Sequence, residues 1–226
     1  MRQLLLASAM TLAAPFLIAG GAQATPMLGI TVQSGGESSF QSATFGAEGG
    51  TYSFAPVSVG NFTTNTIGTQ LYAPSYIDLA TFDLSSRSGG ILTITVTGTG
   101  FTTPVGASSW LTQFTGNVAN GSASVSARSY LDNGNTLNNP GCAVGCTLLS
   151  SVGLGGSATA TAVSGGLFAL TEVITITTTG AQRLSLDASV SGVHATSVPE
   201  PMSLALLGMA LVSFGLVRRR VLRQAV

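Results

Sequence analysis

Apolar and polar residues alternate with period two through most of this 226-residue chain. In "ILTITVTGTGF", Leu92, Ile94 and Val96 fall on one side of an extended backbone and Thr93, Thr95 and Thr97 on the other, the pattern of a half-buried strand. "EVITITTTGAQRLSLDASV" predicts two strands around Gly180, with Ile174 and Ile176 on one and Leu184, Leu186, Ala188 and Val190 on the next. "SVSARSYLDNGNT" puts Val125, Ala127 and Leu131 on one face and ends in Asn133-Gly134, a dipeptide suited to a type I′ turn. "TYSFAPVSVGNFT" and "SYIDLATFDL" read as further strands. No long stretch has the helical period, and glycine-rich breaks come roughly every 8–15 residues. The expected body is therefore all-β, an antiparallel β-sandwich of about eight or more strands, jelly-roll-like or Ig-like. "LTITVTG" (92–98) and "ITITTTG" (174–180) share five of seven residues. Two threonine-rich half-buried strands converge on such a pattern without duplication.

Both ends break the alternation. "MRQLLLASAMTLAAPFLIAGGAQATPM" has Arg2, an apolar stretch from Leu4 to Ile18, and small residues at Ala22 and Ala24 around Gln23, the three parts of a secretory signal cut after Ala24. Residues 1–24 are expected as a signal helix outside the fold. At the other end, "SVPEPMSLALLGMALVSFGLVRRRVLRQAV" holds sixteen uncharged residues, Met202 to Val217. As a helix they span about 24 Å, short of a ~30 Å hydrocarbon core, so membrane insertion is expected to be marginal. Arg218, Arg219, Arg220 and Arg223 follow at once and fix the C-terminus on the cytoplasmic side. The expectation is a single C-terminal transmembrane helix with the bulk of the chain exported. Val198-Pro199-Glu200-Pro201 sits where the chain meets that membrane. Its prolines hold it extended, as an accessible peptide for a processing enzyme.

The order of Pro-Glu-Pro, apolar span and arginine stop resembles the PEP-CTERM sorting signal of Gram-negative bacteria, a tail also known as an ice-binding-protein C-terminal domain. The resemblance covers residues 198–226, about an eighth of the chain. It implies recognition by an exosortase, a membrane-embedded cysteine transpeptidase, with removal of the tail and delivery to the cell surface or an exopolysaccharide (biofilm) matrix. Val198, Pro199, Glu200 and Pro201 are then features of a substrate and not catalytic residues of this chain. The organisation expected is a signal peptide (1–24), a secreted β-sandwich domain (25–197) and the sorting signal (198–226).

Charge narrows the partners. Only 7% of the chain is charged, and it has no lysine. Residues 25–201 carry three arginines (Arg87, Arg128, Arg183) against eight acids, a net −5. Such a surface has no electrostatic footprint for nucleic acid. The secretion machinery, the exosortase and, before processing, the membrane are the partners expected, with exopolysaccharide or other surface proteins as contacts of the mature domain.

Candidate chemistry is sparse. Cys142 and Cys146 are the two cysteines, and an exported pair reads as a disulfide staple in a loop. Zinc needs four ligands, and the single histidine, His194, does not complete a set. No metal or cofactor is expected. His194 lies in the linker before Pro199, and no Gly-x-Ser-x-Gly elbow is present. The carboxylates Asp78 with Asp83, or Glu172 with Asp187, would serve a glycosidase if the fold paired them in a cleft. Trp110 reads as a core residue, whereas Tyr52, Tyr72, Tyr76 and Tyr130 would stack on sugars if they shared a face. Thr93, Thr95, Thr97 and Thr99 would bind ice or ordered water only if coplanar with threonines on neighbouring strands. The function expected is thus a non-enzymatic surface or matrix protein, with a small secreted hydrolase of matrix polysaccharide or a threonine-rich ice binder as alternatives.

Overall fold

The structure is a computed structural model that describes residues 25–193, apart from 66, 73–74, 138–141 and 143–144. The expected signal peptide, His194, the Val198–Pro201 motif, the apolar span and the arginine cluster lie outside the described residues. Among the described residues no helix is long and apolar enough to cross a membrane.

The body is all-β and antiparallel. Its strands are β1 (Met27–Ser34), β2 (Glu37–Thr44), β3 (Gly49–Phe54), β4 (Ser58–Val59), β5 (Phe62–Thr64), β6 (Ile67–Tyr72) and β7 (Tyr76–Ser86), followed by β8 (Gly90–Phe101), β9 (Gly106–Asn120), β10 (Ala123–Asp132), β11 (Cys146–Gly153), β12 (Gly156–Ser164), β13 (Phe168–Thr178) and β14 (Gln182–Val193). Six strands form one sheet in the order β11-β10-β13-β8-β1-β2. The other eight form a second sheet, β12-β9-β14-β7-β5-β4, with β6 also paired to β7 and β3 to β6. From β7 onward the chain changes sheet at nearly every turn, and only β10 and β11 are both consecutive and paired. As a result β13 lies between β8 and β10, while β14 lies between β7 and β9.

Period-two sequence becomes a core because the two sheets bury opposite halves of their strands against each other. Leu92, Ile94 and Val96 of the six-stranded sheet join the same apolar cluster as Leu184, Leu186, Ala188 and Val190 of the eight-stranded sheet. Trp110 on β9 meets Phe168 on β13 edge to face at 5.6 Å, and its Nε1–H donates to the Ala162 carbonyl at 3.4 Å. A buried hydroxyl chain also bridges the sheets. Thr112 on β9 donates to Ser129 on β10 at 2.9 Å and accepts from Ser150 on β11 at 2.7 Å, so all three polar side chains are satisfied away from water. The similar segments 92–98 and 174–180 prove to be neighbours, with Leu92 opposite Ile176 and Ile94 opposite Ile174.

Asn133-Gly134 does not form the two-residue turn expected of it. A longer loop joins β10 to β11, and the positive φ (53°) falls on Asn135. The Asp132 carboxylate organises this loop by accepting the N–H groups of Gly134 (2.7 Å) and Thr136 (3.1 Å). An aspartate held in the strand outcompetes the local Asn-Gly preference by satisfying the donors the loop exposes. Farther along it, Cys142 and Cys146 are joined by a disulfide with a Cα separation of 5.7 Å.

One end of the body gathers both chain exits. Met27 pairs with Thr99, Phe168 with Phe101, Gly106 with Ser164 and Val193 with Ser109. Thr25, the first described residue, and Val193, the last, therefore stand at the same end as the β8–β9 and β12–β13 turns. The opposite end carries Arg87, beyond β7, and Arg183, near the start of β14.

Gly98 on β8 leaves no room for a side chain toward the other sheet. A Cβ there would lie 2.5 Å from Cγ2 of Ile77 and 3.1 Å from Cδ1 of Leu71, both across the core. Gly98→Ala should cost about 1–3 kcal/mol through overpacking. A urea unfolding curve whose midpoint does not move would contradict this packing.

Candidate functional site

The outer face of the eight-stranded sheet concentrates the chemistry. Ile77 and Leu79 on β7 and Ala188 and Val190 on β14 are buried, so the residues between them project outward. On that face Tyr72 pairs with Tyr76 across the β6–β7 connection, and their rings stack at 6.4 Å with 23° between planes. The next row is Gln70, Asp78, Ser189 and Gln113, each opposite the next in register. Asp187, two residues before Ser189, lies diagonally across from Asp78 where the β7–β14 register shifts, close enough for its charge to act on it. A ring pair beside a row of amide, hydroxyl and carboxylate groups results.

Burial and charge bias this face. The Tyr76 hydroxyl is pushed up to about 12, first by burial and then by the Asp78 carboxylate, with which it also shares a hydrogen bond. Asp78 is raised by burial and by Asp187, and its bond to Tyr76 offsets part of that. At neutral pH Tyr76 is therefore a donor with a carboxylate acceptor beside it. Toward the far end of the same face, a cleft of about 450 Å³ is lined by Asn65, Asp83, Ser85, Asn117, Arg183 and Ser185, among others.

Glu172 occupies the other side of the protein wall. It lies on β13 between the buried Leu170 and Ile174, pairs with Ser129 and Val96, and is 0% exposed. Neither carboxylate oxygen has a hydrogen-bond partner. Burial raises its proton affinity well above the ordinary glutamate range, and the charges of Asp78 and Asp187 add to that. The group sits in the core as a neutral acid, because an unpaired carboxylate there would cost far more than the proton.

These positions rule out the carboxylate pairs that the sequence offered. Asp78 and Asp83 are five residues apart on β7, about 17 Å along a strand, beyond the roughly 5–9.5 Å of a glycosidase pair. Glu172 and Asp187 belong to different sheets, with Glu172 inside and Asp187 outside. The pair the fold does form, Asp78 with Asp187, depends on β7–β14 register, which spacing along the chain does not reveal.

The aromatic residues do not share one face. Trp110 is buried, Tyr52 leans on Phe54 at the β3 edge, and Tyr130 lies on the six-stranded sheet. Only Tyr72 and Tyr76 combine. The turn signal in "YAPSY" would have found them, since a tight connection sets its flanking residues opposite each other. The threonine row does have threonines beside it, with Thr93 opposite Thr175 and Thr97 opposite Thr171. Yet Thr95, Thr97, Thr99 and Thr171 are buried, and Leu137 and Phe40 crowd Gly29, which pairs with Thr97. Thr97 and Thr171 hydrogen-bond each other at 3.0 Å. Beyond Thr93 this row is interior and presents no open plane to ice. Among the described residues no group of three or more His, Cys, Asp and Glu side chains is placed to hold a metal.

Glu172 makes stability pH-dependent with a definite sign. Its folded-state affinity for the proton exceeds the unfolded one, so the contribution is fully present below the ordinary glutamate pKa. It is lost as pH rises from there through the raised folded value. Asp78 acts in the same direction more weakly. Glu172→Gln should flatten most of the decline in urea-unfolding free energy as pH rises above the ordinary glutamate range. A variant with the parent's slope would show that Glu172 is not the group responsible.

No family model matches this sequence, and no curated protein matches it. Among solved structures, the body is similar to part of the exo-1,3/1,4-beta-glucanase of a Pseudoalteromonas species, with a TM-score of 0.28 and 8% identity. The match covers 73% of this chain and about a fifth (19%) of the glucanase.

Proposed function

We propose that this chain is an exported surface or matrix protein, delivered by an exosortase that recognises Val198–Pro201, and that its body is a β-sandwich contacting exopolysaccharide without catalysis. The sorting half of the reading rests on the tail sequence. The contact half rests on one observation: the stacked Tyr72–Tyr76 pair beside Gln70, Asp78, Ser189 and Gln113 on an open sheet face. Sugars offer apolar ring faces to aromatic side chains and rims of hydroxyls to amides and carboxylates, and this face supplies both. The sandwich reading is supported by two sheets sharing one apolar cluster.

A hydrolytic reading keeps one foothold. Asp78, raised by burial and by Asp187, has a second carboxylate near it on the same face, and a glycosidase needs two. Against it, neither lines the cleft on that face. Asp78→Asn and Asp187→Asn distinguish the two readings by reducing-end release from the polysaccharide. We expect no release from the parent chain, and turnover abolished by either change would favour the hydrolase.

Replacing both Tyr72 and Tyr76 with alanine should weaken co-sedimentation with the producing cell's exopolysaccharide roughly ten-fold or more, at ~0.5–1.5 kcal/mol per ring. Unchanged binding would remove this face from consideration. For the tail, mass spectrometry of chains recovered from the cell surface should find C-termini at or before Pro201. Intact ends at Val226 would overturn processing.

A further inference from the structure

The exposed aliphatic side chains are not scattered evenly. Val163 and Val105 are the two most exposed large apolar residues described, at 64% and 62%. They are close together: Gly106 pairs with Ser164 and Ala107 with Val163, so Val163 looks outward beside Ala107 at the end of β9 and β12, and Val105 lies in the chain just before β9. Exposed Leu167 lies in the turn that follows β12. Nothing in the described core requires these three in water, and no basic residue stands among them.

The same end emits the tail. Val193 pairs with Ser109, which pairs with Thr161 on its other side, so the chain leaves β14 about 10 Å from Thr161, two strand spacings away. It is heading toward the end marked by Val105 and Val163. The eight residues 194–201 reach at most about 26–29 Å when extended. β9, with 15 residues, is about 50 Å long. A body on so short a tether keeps its tail end near the bilayer, while Ile91 and Leu154, exposed aliphatic residues toward the opposite end, are held away.

We propose that this apolar end, Val105 with Val163 and Leu167, docks on the lipid interface while the tail is embedded, and thereby sets the orientation in which the Val198–Pro201 peptide meets its processing enzyme. The occupant is lipid. The inference rests on residues 202–217 being a membrane span. Because the tether confines the body, weak apolar contact is enough: tethering raises the effective concentration of the surface at the bilayer. Without lysine or a basic cluster at this end, the contact is apolar and independent of anionic lipid and of salt.

The test uses the chain from Thr25 to Val226 reconstituted in phosphatidylcholine vesicles, with an environment-sensitive fluorophore on Val163→Cys or, at the opposite end, on Ser88→Cys. Spin-labelled headgroups should quench the label at 163 about three-fold or more above that at 88, equally at low and high salt, as expected of an interfacial apolar contact. Adding Val105→Asp should bring the label at 163 down toward the level at 88. Equal quenching at the two ends, in chains that resist alkaline extraction from the vesicles, overturns the docking and leaves the tail reading standing. Chains released by alkali overturn both. Cross-linking of two copies through position 163 in place of quenching would assign the end to self-association and overturn the lipid contact.

Discussion

The structure depends on two sheets burying alternate residues against one another while the chain passes back and forth between them. Each strand from β7 to β14 contributes one apolar side to a common cluster. Consecutive strands mostly do not pair, so hydrogen bonding joins distant parts of the chain and side-chain packing joins near ones. Gly98 lets the walls approach, Trp110 and Phe168 fill the space between them, and the Thr112–Ser129–Ser150 chain satisfies the polar groups that the interior contains. Burial of this kind is the dominant favourable term available to a chain with so few charges.

Glu172 departs from that economy. A carboxyl group enclosed without a partner weakens the fold wherever it would ionise, and its burial couples it to the carboxylates on the opposite surface of the wall. Burial is the main cause of its raised proton affinity, and the Asp78 and Asp187 charges add to it.

The arrangement of ends gives the fold a direction. First and last described residues share one end with the apolar β8–β9 and β12–β13 turns, while Arg87 and Arg183 lie at the other. From β7 to β14 the chain makes eight successive traverses, an even number, so it returns to the side on which β1 begins, which brings both exits together. The sugar-facing rows that we propose run across the strands and look outward from the side of the body, at right angles to the exit axis.

The sequence by itself determined the strand chemistry. Leu92, Ile94 and Val96, or Leu184, Leu186, Ala188 and Val190, could be assigned to one side because a strand has a fixed period of two and needs no knowledge of its neighbours. It also carried the tail order of Pro-Glu-Pro, apolar span and arginines, which is local by nature. What it lacked was register. Whether Tyr72 meets Tyr76, whether Asp78 faces Asp187 or Asp83, and whether Glu172 points in or out depend on pairings between distant segments. Thr95 and Thr97 make the same point in reverse. Their alternation correctly placed them opposite the core, and only the side chains of Leu137 from a loop and Phe40 from the neighbouring strand, brought over Gly29 by the tertiary fold, turned a solvent face into an interior one.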